Sequence, residues 1–270
     1  YLCNMFKEIT SLQNPCVKYI LKLKEKPKYR DSEGVFVIEG QRELKLATEG
    51  GYKIISLYLH KDFCKDNRFN KYASQFTEIL KISSKIYKKI AYRGSTEGII
   101  AIAKNKSHLL TELKLPLHNP LVMVAESPEK PGNIGALLRT ADAAKVDAVI
   151  IANPRTDLYN PNVIRSSVGG LFTVPVALAS TNEAIHFLKV HKISIYIAVL
   201  QKSIVYHTVD FCGPSAVVLG TESIGLSKSW QTAGSQNIKI PMLGQLDSMN
   251  VSVAAGILLF EAKRQRKFIS

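Results

Sequence analysis

Residues 126–144 read ESPEKPGNIGALLRTADAA, and the reading of this stretch decides the rest. An apolar run, Leu121–Ala125, precedes it, and a helix-like run rich in Ala and Leu closes it. In open α/β sheets, a turn between strand and helix is where ligands bind. Two familiar ligands fail on spacing. A phosphate loop needs G-x-x-x-x-G-K-[ST], whereas only Gly132 and Gly135 are present, with no Lys-Ser pair. A dinucleotide fold needs G-x-G-x-x-G and an acid about twenty residues on, yet the next strand, DAVIIANP, ends in Asn153.

What remains is Asn133, Gly135 and Arg139 at a helix entrance. Asn133 suits an N-cap, and Gly135 lets backbone or ligand come close. Arg139 lies one turn beyond Gly135, which puts both on one side of the helix. Taken singly, Asn133 reads as a plain cap and Arg139 as a surface cation.

Working outward, the chain after Pro120 alternates apolar strands with helices. LVMVAE, DAVIIA, TVPVAL, SIYIAV, AVVLG and NIKIP read as strands, and 134–144, 160–168, 181–190 and 250–266 as helices. Near-continuous apolar strands separated by helices predict an α/β fold with a mostly parallel sheet covered on both faces. Two further strand ends carry small and polar residues. VVLGTESIGLS (217–227) brings Gly220, Glu222 and Gly225, and IPMLGQLDSMNVSVAAGILLFE (240–261) brings a polar loop before a helix starting near Asn250. Three such loops in one half-chain indicate a composed site.

The first half has a different character, dense in Lys and Arg. NPCVKYILKLKEK, QRELKLATEGG and ISSKIYKKIAYRG read as helices, and GVFVIEG, YKIISLYLH and EGIIAIAK as strands, which predicts a smaller sheet covered by helices. SHLLTELKLPLHNP, with two prolines, reads as a linker. The expected division is 1–107, a linker at 108–118, and 119–270.

Composition narrows the function. The chain of 270 residues is 46% hydrophobic, enough for two cores, and carries a formal net charge of +14. Such charge favours polyanionic partners, nucleic acid first, with a merely solubilising surface as the plainer alternative. Cys3, Cys16, Cys64 and Cys212 show no C-x-x-C spacing, and the six histidines are dispersed, so neither disulfide framework nor metal is expected. No stretch reaches membrane-span length and residues 1–20 lack a secretion-signal pattern, which makes the cytoplasm the expected compartment.

The three loop stretches together resemble the SpoU (TrmH-like) branch of the SPOUT methyltransferases. Its first motif, N-x-G-x-x-x-R, is matched by Asn133, Gly135 and Arg139, and its second, G-x-E-x-x-G, by Gly220, Glu222 and Gly225. Its third is matched by Ile240-Pro241-Met242 and Ser248-Met249-Asn250-Val251-Ser252. Thr221 and Ser223 stand where Asn and Gly are more usual, and Met249 where Leu is common. VFVIEGQREL and YRGSTEGIIAIAK give the first half a looser likeness to the L30e-like substrate-binding domain often attached to this family.

The resemblance implies methyl transfer from S-adenosylmethionine to a ribose 2′-hydroxyl of RNA, without metal. It implies a deep trefoil knot, which no periodicity would suggest, and a homodimer through the knot region. Asn133, Arg139, Glu222, Ser248 and Asn250 are implied as the catalytic set. Cofactor contacts are implied at Leu200, Leu219, Gly220, Glu222, Ile240, Met242, Met249 and Asn250. The family assigns its arginine as general base, but a guanidinium is almost never free to accept a proton. Arg139 is therefore expected to be essential, as base or as phosphate clamp. Arg42, Arg93, Lys130, Arg165 and Ser166 are expected to contact RNA, the last two because the family brings that region near the active site. Ribosomal RNA, of the 23S type, is the leading substrate. Transfer RNA, or a non-catalytic assembly factor keeping the fold, are the rival readings.

Overall fold

The computed structural model describes residues 8–60, 78–92, 97–221 and 225–268. They form two compact units. One holds the residues up to Lys106 together with Tyr159–Phe172; the other holds Ser107–Leu158 and the residues from Thr173 onward.

In the second unit, seven parallel strands make one sheet. They are β6 (Leu121–Glu126), β7 (Ala148–Ala152), β8 (Val176–Ala179), β9 (Ser194–Ala198), β10 (Ile204–Val205), β11 (Ser215–Leu219) and β12 (Gln236–Lys239), in the order β10-β12-β9-β11-β6-β7-β8. All residues of β6, β7 and β11 are buried, as a sheet covered on both faces requires. Val122, Val124, Ile150 and Val218 share one core with Ala184 and Leu188 of α8 (Thr181–Val190) and Trp230 of α9 (Lys228–Ala233). α5 (Pro131–Ala143) and α10 (Val251–Gln265) pack on each other, and α10 also packs on β11.

The chain enters helices here through explicit caps. Ser180 and Glu183 form a reciprocal capping box on α8, a feature that stabilises by about 1 kcal/mol. α5 begins earlier than the sequence suggested. Pro131 occupies its first position, where a fixed φ and a missing N–H cost nothing. Asn133 is thus inside the first turn and is not the cap.

The first unit is built on a five-stranded mixed sheet: β1 (Glu8–Ile9), β2 (Val35–Glu39), β3 (Ile54–His60), β4 (Glu78–Ile82) and β5 (Ile99–Lys104), ordered β1-β4-β3-β5-β2. β5 runs antiparallel to both β3 and β2. Its helices are α1 (Pro15–Glu25), α2 (Pro27–Glu33), α3 (Gln41–Glu49), α4 (Ser84–Ile90) and α6 (Pro161–Ser167), and the short α7 (Gly170–Thr173) begins in it. α2 and β4 were not foreseen. α1 stops at Glu25, Pro27 then takes the first position of α2, and Gly34, at φ 63°, closes it.

Two features differ from the expected division. Tyr159–Phe172 clusters with the N-terminal residues because Tyr159 stacks on Phe36 at 4.2 Å and Phe172 meets Tyr52 edge-on at 5.2 Å. The segment expected as a linker is packed on the second unit: Leu110, Leu113 and Leu115 lie against its core, and Leu109 bridges to Leu178.

Candidate active site

In the second unit β12, β9, β11 and β6 are successive parallel neighbours, so the residues that leave them emerge at one edge of the sheet. Those residues are Ile240, Leu200, Gly220 and the Ser127–Lys130 turn. A cleft opens there, lined among others by Lys130, Asn133, Leu137, Leu219, Gly220 and Val251. It lies where open parallel sheets bind ligands.

The first and third sequence stretches meet across this cleft. Asn250 Nδ2 donates to Asn133 Oδ1 at 3.1 Å, although 117 positions separate the two residues. Asn250 Oδ1 meanwhile accepts from the Ser252 backbone N–H at 3.0 Å and from the Ser252 hydroxyl at 2.6 Å, capping α10. One amide therefore starts a helix and bridges two loops.

Gly220 explains the second stretch. A Cβ placed there would run into the backbone carbonyl of Gly225 and lie 2.8 Å from Leu226 N. Thr221 and Gly225 pair through two backbone hydrogen bonds, of 3.3 and 3.0 Å, and Gly225 takes φ 72°. The loop returns so closely on its own strand that only glycine leaves room for it.

The cleft's lining also includes a buried carboxylate that the sequence reading passed over. Glu126, at 4% exposure, ends β6. It accepts from Thr181 Oγ1 at 2.6 Å, from Ser227 N–H at 2.7 Å and from the Ser227 hydroxyl at 2.8 Å. Thr181 Oγ1 also accepts from Asn153 Nδ2 at 2.8 Å. This network joins the ends of β6 and β7 to the starts of α8 and α9, just beyond the Gly220–Gly225 loop. A lone acid closing an otherwise apolar strand was the available signal. Buried carboxylates persist only when hydrogen-bonded or paired.

The other expected residues are placed as follows. Gly135 is buried on α5 while Arg139 is exposed on it, so they do not share one environment. Ser248 and Asn250 are exposed at the entrance to α10. Ile240, Met242 and Met249 are partly buried and Leu200 is 51% exposed; of the expected cofactor residues, the cleft's lining includes Leu219 and Gly220. Glu222 and Arg93 lie outside the described residues. Lys130 lines the cleft. Arg42 and Arg165 belong to the first unit, both exposed. The Ser166 hydroxyl turns back to the Asn162 carbonyl at 2.5 Å.

Comparison with known proteins agrees with the geometry. The SpoU rRNA Methylase family matches residues 120–260, and an MRM3-like substrate binding domain matches 14–101. A 23S rRNA (uridine(2479)-2′-O)-methyltransferase of Streptomyces viridochromogenes is 28% identical over 88% of this chain and 85% of its own. The 23S rRNA (guanosine(2553)-2′-O)-methyltransferase RlmP of Bacillus subtilis is 27% identical over 95% and 99%. The crystal structure of an AdoMet-bound rRNA methyltransferase from Sinorhizobium meliloti superposes with a TM-score of 0.88, at 29% identity, over 98% of this chain and 99% of that one.

Proposed function

Since this chain belongs to the SpoU rRNA methylase family, we propose that it methylates a ribose 2′-hydroxyl of ribosomal RNA with S-adenosylmethionine. The observation that carries this reading is the Asn250–Asn133 hydrogen bond, which unites the first and third motifs on a strand-end cleft bordered by Gly220.

The residues present fit the cofactor. Gly220 adds no side chain to the cleft where its backbone lies against that of Gly225, and Leu200, Leu219, Ile240, Met242 and Met249 supply apolar groups and backbone polar groups at the same sheet edge. These residues, with Glu222, would hold it. When bound, S-adenosylmethionine supplies a methyl group already activated by a sulfonium charge.

The chain must then hold the hydroxyl in line and give its proton a way out. Asn133 and Asn250 fix the ribose, their amides oriented by each other and by the cap on Ser252. Arg139, exposed on α5, takes an RNA phosphate, and water at the open cleft accepts the proton, because a guanidinium keeps its own. Ser248 and Glu222 complete the set, Ser248 on ribose or phosphate and Glu222 as acceptor. Lys130, at the mouth, Arg42, Arg93, Arg165 and Ser166 serve RNA.

Finer elements of the reading are a trefoil knot through 217–250, a homodimer through the second unit, a cytoplasmic setting and metal-free chemistry. Exposed Leu243, Leu246, Val253 and Phe260 support a second copy. Among the described residues no helix is long and apolar enough to cross a membrane, and no three His, Cys, Asp or Glu side chains gather as metal ligands. The substrate is read as 23S-type RNA, with the unit of residues up to 106 and 159–172 as its docking module.

Calorimetric titration with S-adenosylmethionine and with its demethylated product tests this. Micromolar binding of either supports the pocket; no heat with either, in the presence and absence of ribosomal RNA, overturns it.

A further inference from the structure

The first unit has a cleft of its own, lined by Glu39, Gly40, Glu43, Tyr92, Glu97 and Arg165 among others. In a chain of net charge +14 it brings three carboxylates together. Two are engaged. Glu39 pairs with Lys24 and accepts from the Tyr92 backbone N–H at 2.7 Å, while Glu97 accepts from the Gln41 N–H at 2.5 Å. Glu43 is different: its carboxyl accepts from its own backbone N–H, and among the described residues no ion pair and no other side chain's donor engages it. Gly40, at φ 105°, makes its position possible, since a Cβ there would strike Glu43 Oε2 and lie 3.2 Å from Glu97 Oε2.

In the same lining the Arg165 guanidinium lies 4.9 Å from the Tyr92 ring centroid, a cation–π pair, and RNA bases stack on aromatic rings and guanidinium planes alike. The carboxylates disfavour a phosphate, and Arg165 offsets part of their charge while adding a flat guanidinium face that a bare cation does not use. A neutral, flat group bearing N–H donors satisfies both. Burial of Glu43, with Glu97 nearby, raises its carboxyl above the ordinary range, so an ionised Glu43 gains most from donors brought by a ligand.

Resting on the reading that RNA is the substrate, we propose that this cleft receives one unpaired RNA base and that Glu43 reads its Watson–Crick edge, favouring guanine. Guanine alone offers two adjacent donors, N1–H and the 2-amino group, to the two oxygens of one carboxylate. Adenine and cytosine offer an amino group beside a ring nitrogen whose lone pair opposes the carboxylate, and uracil flanks its N–H with two carbonyls. The nucleotide read here need not be the one methylated.

Fluorescence anisotropy with the full chain tests this, using short single-stranded uridine oligomers with one central guanosine, inosine, adenosine or cytidine. Guanosine is expected to tighten binding by about tenfold over the all-uridine oligomer, and inosine, lacking the 2-amino group, to lose most of that gain. Glu43→Gln should abolish the preference while leaving all-uridine affinity within the change given by Glu49→Gln, a matched charge change on the exposed side of α3. Equal affinity for all oligomers would overturn the proposal, as would a guanosine preference that survives Glu43→Gln, or Glu43-dependent displacement of the RNA by an arginine-rich peptide. S-adenosylmethionine binding in the same preparation separates the two failures. With it intact, a flat base preference sinks the pocket alone; without it, the methyltransferase reading falls.

Discussion

The side-chain amide of Asn250 donates to that of Asn133 at 3.1 Å while its oxygen caps the next helix at Ser252. The stability role and the positioning role therefore sit on opposite ends of one amide and can be separated. Serine is as good an N-cap as asparagine but too short to span to Asn133. Asn250→Ser should change unfolding free energy by less than about 0.5 kcal/mol and lower methyl transfer at least tenfold. Near-normal transfer with a normal melt would show that the bridge is idle.

Glu126 tests the support under the site. Its replacement by alanine leaves the buried Thr181 hydroxyl and two part-buried donors of the exposed Ser227 without their acceptor. Loss of these three hydrogen bonds, one of them buried, predicts about 2 kcal/mol of destabilisation, measured by urea unfolding. A loss below about 1 kcal/mol would mean that water replaces the carboxylate.

The two glycines near the first and second motifs should behave oppositely. Gly220→Ala pushes a methyl group into the Gly225 backbone and should abolish S-adenosylmethionine binding by calorimetry, with about 1–3 kcal/mol of overpacking strain. Gly132 has open space around it in the first turn of α5, so Gly132→Ala should be neutral or stabilise by up to about 1 kcal/mol. Equal effects at both positions would contradict the close return of the loop at Gly220.

Glu43 gives the first unit a pH dependence of definite sign. Burial holds its folded carboxyl above the unfolded value. Folding then takes up a proton, so its contribution is fully present below the unfolded value and is lost as pH rises through the folded one. Glu43→Gln cannot suffer that loss. Its melting temperature should exceed wild type at neutral pH, with the gap closing below the ordinary carboxylate range. A lower melting temperature for the variant at neutral pH would contradict this.

How much of this was legible in the sequence depended on whether the signal was local. Strands β6, β7 and β11 of the second unit were plain because each is a near-continuous apolar run, and β8, β9 and β12 because each carries alternating or short apolar stretches between helical segments. Asn133, Gly220 and Asn250 stood out because their spacing matches the motifs of the family that the stretches resemble. What escaped depends on contacts distant in sequence. EILKI, which forms β4, alternates too briefly to stand apart from the helix after it, yet it pairs with β3 and β1. Tyr159–Phe172 joined the N-terminal residues through Phe36 and Tyr52, which no local pattern announces. Arg165 accordingly faces Tyr92, and Glu126 gains its partners only when β6, α8 and α9 come together.

The most direct test incubates the purified protein with radiolabelled S-adenosylmethionine and unmodified 23S-type ribosomal RNA, followed by alkaline hydrolysis. A 2′-O-methyl group blocks cleavage at its own nucleotide, so the label should appear in alkali-stable dinucleotides and vanish with Arg139→Ala. Label released in mononucleotides, or transfer undiminished by Arg139→Ala, would contradict ribose methylation at this site.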